Sequence, residues 1–122
     1  PAESNHLVDI ETLAQPNVRF FAALVDGEYC GCGAIMIRAG EYAEVKRIFV
    51  SPRARNLGLG RKIVTTLIEA ARAERLLTLM LETGTLQPEA LALFEAMGFV
   101  RCDSFGDYPV DDPYSVFMEI HI

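Results

Sequence analysis

The chain has 122 residues, 51% of them hydrophobic and 23% charged, the make-up of one globular domain with a single core rather than of a disordered chain or two domains. No window approaches the ~20 uninterrupted apolar residues of a membrane helix, and the opening "PAESNHL" has neither the basic region nor the apolar core of a signal peptide. A net charge of −6 argues against broad binding to nucleic acid or an anionic surface.

Residues 1–16 read as irregular or weakly helical, with "DIETLAQ" a candidate helix end before Pro16. "VRFFAALV" (18–25) is rich in strand formers, and Asp26-Gly27 is a strong hairpin signal before "EYCGCGAIMIR". A second turn at Ala39-Gly40 leads into "YAEVKRIFV" (42–50), giving an antiparallel meander of three strands. The odd cysteine count, Cys30, Cys32 and Cys102, favours reduced thiols and a cytoplasmic setting. On a regular strand Cys30 and Cys32 would face one side, and buried structural thiols are favoured over a metal site.

Beyond Gly58 the pattern changes. Ile63, Val64, Leu67, Ile68 and Ala71 mark one face of an amphipathic helix. "LLTLMLE" (76–82) is apolar at nearly every position, as in a strand covered on both faces, and its link through the helix predicts parallel pairing with 42–50. Pro88 suits a first helical position, with Ala90, Leu91, Phe94 and Met97 as a buried stripe and Gly98 as a stop. "FVRCDS" and "SVFMEIHI" close the chain as two strands around "FGDYPVDDPY". The fold expected is a single mixed α/β domain over 1–122.

The stretch "VSPRARNLGLGRK" joins strand to helix. Six of the 11 cations (Lys46, Arg47, Arg53, Arg55, Arg61, Lys62) fall between positions 46 and 62, so the basic segment suits a small polyanion. Free N–H groups at a helix start carry partial positive charge, and Gly58 and Gly60 let the backbone close on a phosphate without a Cβ in the way. Arg55, Arg61 and Lys62 can add charge-assisted bonds, with Arg53 further out. The turn is neither a Walker loop nor a dinucleotide fingerprint: no Lys-Ser/Thr follows, and Ile63 stands where a third glycine would be due. A glycine turn serving helix packing alone is the competing structural explanation.

"VSPRARNLGLGRKIVTTLIEAA" resembles the acetyl-coenzyme A signature of the GNAT superfamily of N-acetyltransferases. Its R/Q-x-x-G-x-G/A core is matched by Arg55-Asn56-Leu57-Gly58-Leu59-Gly60. "AEVKRIFV" resembles the family's fourth strand, "LMLET" its fifth, and "PEALALFEAMGF" the helix that follows, so the likeness covers residues 18–122. The resemblance implies an acyl-CoA N-acyltransferase fold, with strands 42–50 and 76–82 splayed to admit the pantetheine arm of acetyl-CoA. The pyrophosphate would lie on the turn of Arg55, Asn56, Leu57, Gly58, Leu59 and Gly60, with Arg61 and Lys62 beside it. The main chain of Ile48, Phe49 and Val50 would pair with the pantetheine amides, and the Ile48 N–H would polarise the thioester carbonyl.

The implied reaction is attack of a primary amine on the thioester, on a small molecule or a protein, with no metal. Glu44 occupies the position some members use for the general base, on the face of Lys46 and Ile48; a surface ion pair with Lys46 is its structural alternative. Where relatives carry a tyrosine that protonates the leaving thiolate, this chain has Phe94, which cannot donate. Tyr108 and Tyr114 are the substitutes the sequence permits, and a non-catalytic acyl-CoA-binding module is the alternative function. Gln87 stands where relatives often place an asparagine on the cofactor. The family's usual first strand and helix have no counterpart before Val18. Asp103, Asp107, Asp111 and Asp112 could attract a cationic amine, and the terminal strand "SVFMEIHI" offers an edge for homodimer formation.

Overall fold

A computed structural model describes residues 8–38, 41–84, 88–106 and 114–122. Seven strands form one sheet in the order β1-β2-β3-β4-β5-β7-β6, and both helices contribute to its main core. The first four strands are an antiparallel meander: β1 (Val8–Gln15), β2 (Val18–Val25), β3 (Glu28–Arg38) and β4 (Tyr42–Val50). The segment expected to be irregular or helical is thus a strand, paired with β2 from Val8↔Val25 to Gln15↔Val18. Asp26 and Gly27 both take positive φ (52° and 82°) in a two-residue connection between Val25 and Glu28. That is the I′-type turn that matches strand twist. The Ala39-Gly40 turn lies outside the described residues.

A 3-10 helix (Pro52–Leu57) and Gly58 connect β4 to α1 (Leu59–Ala73), and β5 (Thr78–Gly84) follows. α1 buries Leu59, Ile63, Val64, Leu67 and Ala71, the expected stripe extended by one turn at its start, with Ile68 only half-buried against the core. It lies close on β3 because Gly31 and Gly33 face it: a Cβ on Gly33 would come 2.7 Å from Ile63 Cγ2. β5 begins two residues later than the apolar run suggested, since Leu76 is buried but Leu77 is 72% exposed. α2 (Pro88–Ala96) ends at Gly98 (φ 102°), where the Phe99 N–H donates to the Phe94 carbonyl. This is the 6→1 bond of a helix closed by a left-handed residue.

β6 (Val100–Cys102) forms one margin of the sheet, and β7 (Ser115–His121) lies inside it, paired with β5 over its whole length and with β6 at Phe117–Glu119. The terminal strand is therefore not the free edge on which dimer formation was expected. The two cysteines of β3 part company for a related reason. A register shift between Ala23 and Leu24 leaves Cys30 as an extra residue, buried in the core cluster. Cys32 lines a depression in the sheet with Phe20, Ala22 and Phe49. A bulge breaks the two-residue period, so equal parity no longer means equal facing.

Candidate active site

β4 and β5 are parallel neighbours for only two pairs, Ala43↔Leu79 and Glu44↔Met80. Both strands continue, to Val50 and Gly84, without pairing to each other. Between them opens a cleft of about 260 Å³, lined by Val45, Lys46, Arg47 and Ile48 of β4, Leu81, Glu82, Thr83 and Gly84 of β5, and Ala90 and Phe94 of α2. This is the expected splay.

A bulge in β4 follows shortly after its last pair with β5. β3 advances two residues from Cys32 to Ala34 while β4 retreats three, from Phe49 to Lys46. The extra residue is Arg47, held at φ 56°, a left-handed conformation that costs a non-glycine residue about 1–2 kcal/mol. The Cys32 thiol donates to the Arg47 carbonyl at 3.1 Å. Before the bulge Ala43 and Val45 join the core cluster and Glu44 and Lys46 face the other way. After it Ile48 packs on the core and approaches Gly33 on the side of Ile63 and Leu67. Glu44 and Ile48, expected on one face, therefore stand on opposite faces of the sheet, because the bulge inverts the parity.

At the other end of β4, α1 starts without a side-chain cap and with no acidic residue in its first turn. Its leading N–H groups have no acceptor within the helix. Gly58 takes φ 69°, and a Cβ built there would meet nothing within 4 Å; one on Gly60 would lie 3.0 Å from Leu93 Cδ2 and 3.8 Å from Val50 Cγ2. The mouth is open at Gly58, and Gly60 lets α1 approach α2. Arg61 and Lys62 are exposed beside it. Leu59 is buried in the core, so only its main chain is available to a ligand, and Leu57 packs half-buried on the same core. Arg53 is engaged by Glu28 at 2.7 Å. The Arg55 and Asn56 backbone lies in the 3-10 helix, but their side chains, like Gln87 and Tyr108, lie outside the described residues.

Two carboxylates stand near the cleft in different states. Glu44 is only 1% exposed, with Oε1 2.8 Å from Arg38 Nη2 and Oε2 2.9 Å from Lys46 Nζ. The Lys46 pairing of the structural alternative is present, but Glu44 is buried rather than on the surface, and it is not among the cleft-lining residues described. Glu82 does line the cleft, and the Ser115 hydroxyl donates to its Oε2 at 2.6 Å. Sequence reasoning passed over Glu82; the available signal was a charged residue ending the apolar run of "LMLETG". Phe94 is buried, lines the cleft and packs edge-on to Phe99 with centroids 5.5 Å apart. On the face opposite α1, Phe105 packs edge-on between Tyr42 and Phe117 (5.7 and 5.6 Å). Tyr114 is 72% exposed and Asp103 is exposed, while Asp107, Asp111 and Asp112 lie outside the described residues.

The sheet thus parts after two β4–β5 pairs, and α1 starts uncapped just after Gly58. The family model described as "Acetyltransferase (GNAT) family" matches residues 1–99; the chain belongs to that family and is an acetyl-CoA-dependent acetyltransferase. It is 48% identical over 120 residues to an IAA acetyltransferase of Azospirillum brasilense, covering 98% of this chain and 78% of that protein. An uncharacterized N-acetyltransferase of Bacillus subtilis, YsnE, is 34% identical, with 97% and 79% covered. Among solved structures, one from Klebsiella pneumoniae described as an acyl-CoA N-acyltransferase superposes with a TM-score of 0.86 at 29% identity, covering 97% of this chain and 98% of that one. A GNAT family acetyltransferase from Elizabethkingia anophelis, solved with acetyl-CoA bound, shares the fold at TM-score 0.76 and 17% identity, with 97% and 99% covered.

Proposed function

We propose that the chain acetylates a primary amine in the β4–β5 cleft, and that the residues of that cleft divide the work as follows. The observation that carries the reading is the parting of β4 and β5 after two pairs, in line with the open helix start at Gly58. A diphosphate sits on the N–H groups of the turn 55–60, and Arg61 and Lys62 add charge. The β4 main chain at Ile48, Phe49 and Val50 pairs with an extended amide-bearing arm as an added strand. Acetyl-CoA supplies an activated acetyl thioester. The Ile48 N–H, just past the bulge, then stabilises the oxygen on which charge develops when the amine attacks, the role that the family resemblance implies for it.

The attacking ammonium must lose a proton. Glu82 is the carboxylate that lines the cleft and is held there by Ser115, so we assign it the proton. Glu44, the expectation from family position, would act through Lys46 and Arg38, both of which it holds. As the C–N bond forms, the thioester C–S bond breaks and coenzyme A departs as its thiolate, to be protonated from solvent; Phe94 cannot donate that proton and forms one wall of the cleft. The free thiols of Cys30, Cys32 and Cys102 support a reducing, cytoplasmic setting.

Titration calorimetry with acetyl-CoA, followed by thiol-release assays over a panel of amines, tests the proposal. Micromolar binding and turnover of at least one amine are expected. No binding at millimolar ligand would overturn the assignment of the cleft.

A further inference from the structure

The face of the sheet turned away from α1 carries a second depression, of about 510 Å³. It is lined by Thr12, Leu13, Phe20, Ala22, Tyr29 and Cys32, with Gly31 and Phe49 completing it. Apolar residues stand in solvent here: Leu13 is 59% exposed, Tyr29 64% and Phe49 56%. Such a patch on a small domain marks a binding surface. It is not isolated. A depression of about 330 Å³ shares Phe20 with it and shares Lys46 and Arg47 with the reaction cleft. Neighbours in this series share lining residues, so we treat the three as one trough leading from an apolar basin toward the cleft; its two larger parts have the volumes of small-molecule sites.

One charge stands at the junction. Lys46 is taken up by Glu44 at 2.9 Å. Arg47 is exposed, and no carboxylate among the described residues pairs with it. Its backbone is fixed by the bulge and by the Cys32 thiol. Arg47 lines both the 330 Å³ depression and the reaction cleft, and its cationic charge also acts on that thiol, lowering a pKa that burial otherwise raises. A left-handed arginine is a locally strained choice, and strain of this kind concentrates where a side chain must be aimed. Across the cleft Glu82 offers the opposite charge.

We propose, resting on the transferase reading above, that the acceptor is an amine that also bears a carboxylate and an apolar body, the chemistry of a hydrophobic amino acid. Its carboxylate pairs with Arg47, its apolar body lies in the trough between Phe20 and Phe49, and its amine is thereby turned toward Glu82. An acceptor of this class meets charge at both ends of the junction and apolar surface in between. A polycationic acceptor would bring like charge to Arg47, and among the described lining residues Glu82 is the one carboxylate to receive it.

The test compares phenylalanine with phenethylamine, which lacks only the carboxylate, and with alanine, which lacks the ring, in a thiol-release assay. Phenylalanine is expected to exceed both in kcat/KM by at least ten-fold. Arg47→Asn keeps a residue that tolerates positive φ while removing the charge. It should cut the phenylalanine-to-phenethylamine ratio at least ten-fold, through KM rather than kcat, and Arg47→Lys should restore part of it. Should Arg47→Asn fail to fold by circular dichroism, Phe49→Ser at the exposed rim decides, by lowering the phenylalanine-to-alanine ratio. Equal or better use of phenethylamine by the wild-type chain, or loss of both substrates alike in Arg47→Asn, overturns the proposal. If acetyl-CoA binds but no member of the panel is acetylated, this acceptor class is wrong while the transferase reading stands. If acetyl-CoA itself does not bind, both fall.

Discussion

Glu44 Oε2 stands 2.9 Å from Lys46 Nζ on the same strand, and the other Glu44 oxygen is held by Arg38. A buried carboxylate between two cations has its oxygens committed, whereas Glu82, on the facing strand, borders the cleft and accepts from the neutral Ser115 hydroxyl. The two therefore separate under amide substitution. Glu82→Gln should lower kcat roughly 100-fold, the low end of general-base contributions. Glu44→Gln should lower kcat less than ten-fold but cost about 1–3 kcal/mol of stability by denaturant unfolding. That is below the usual loss for a broken buried pair because Arg38 and Lys46 keep partial access to water. A larger kcat loss in Glu44→Gln than in Glu82→Gln would reverse the assignment.

The two glycines of the helix mouth make different predictions. Gly58 holds φ 69° with open space around it, so Gly58→Ala should cost about 1–2 kcal/mol from backbone strain alone. Its new methyl also projects where a diphosphate would rest. Gly60→Ala gains about 1 kcal/mol of helix propensity and loses a similar amount because Leu93 must give way from a 3.0 Å contact. Stability should thus barely change. Both single variants should weaken acetyl-CoA binding in calorimetry, and the double variant by at least ten-fold. Undiminished affinity in the double variant would show that the mouth is not the diphosphate site.

The elements fixed by short-range chemistry were legible in advance. Asp26-Gly27 dictated its turn, the spacing of Ile63, Val64, Leu67 and Ala71 dictated α1, and Gly58-Leu59-Gly60 marked the helix start. The bulges at Cys30 and Arg47 were not legible. Each depends on how a partner strand is paired, and a left-handed arginine leaves no trace in the sequence that distinguishes it from an extended one. Reading β4 with an unbroken two-residue period put Glu44 and Ile48 on one face, an error that follows directly from the missing residue in the count. β1 was missed because "VDIETLAQ" carries no clean alternation; it is a strand because β2 offers it an edge along eight consecutive pairs.

The approach of α1 to β3 can be tested without touching the site. Gly33 faces the helix, and a Cβ there would lie 2.7 Å from Ile63 Cγ2 and 3.3 Å from Leu67 Cδ1. Gly33→Ala should therefore lift α1 or force Ile63 from its rotamer, costing about 1–3 kcal/mol. Thermal unfolding should show the loss. A paired Ile63→Leu substitution, which removes the clashing Cγ2 methyl, should recover part of it, and strictly additive losses would mean that the two residues do not meet.

Cys32 offers a chemical readout of the Arg47 position. Burial raises its pKa most strongly, opposed by the Arg47 charge and by a hydrogen bond from the Phe49 backbone. An acid whose pKa is raised keeps its proton to higher pH, so less reactive thiolate is present at any given pH. Alkylation of the Cys32 peptide by iodoacetamide, followed by mass spectrometry, should be slower at pH 7.5 than that of an unstructured cysteine peptide, and should accelerate only at more alkaline pH. Arg47→Asn removes a charge that favours the thiolate, so the pH at which alkylation sets in should move further up. A shift to lower pH in that variant would mean that the guanidinium does not face the thiol, and the cation at the head of the trough would have to be sought elsewhere.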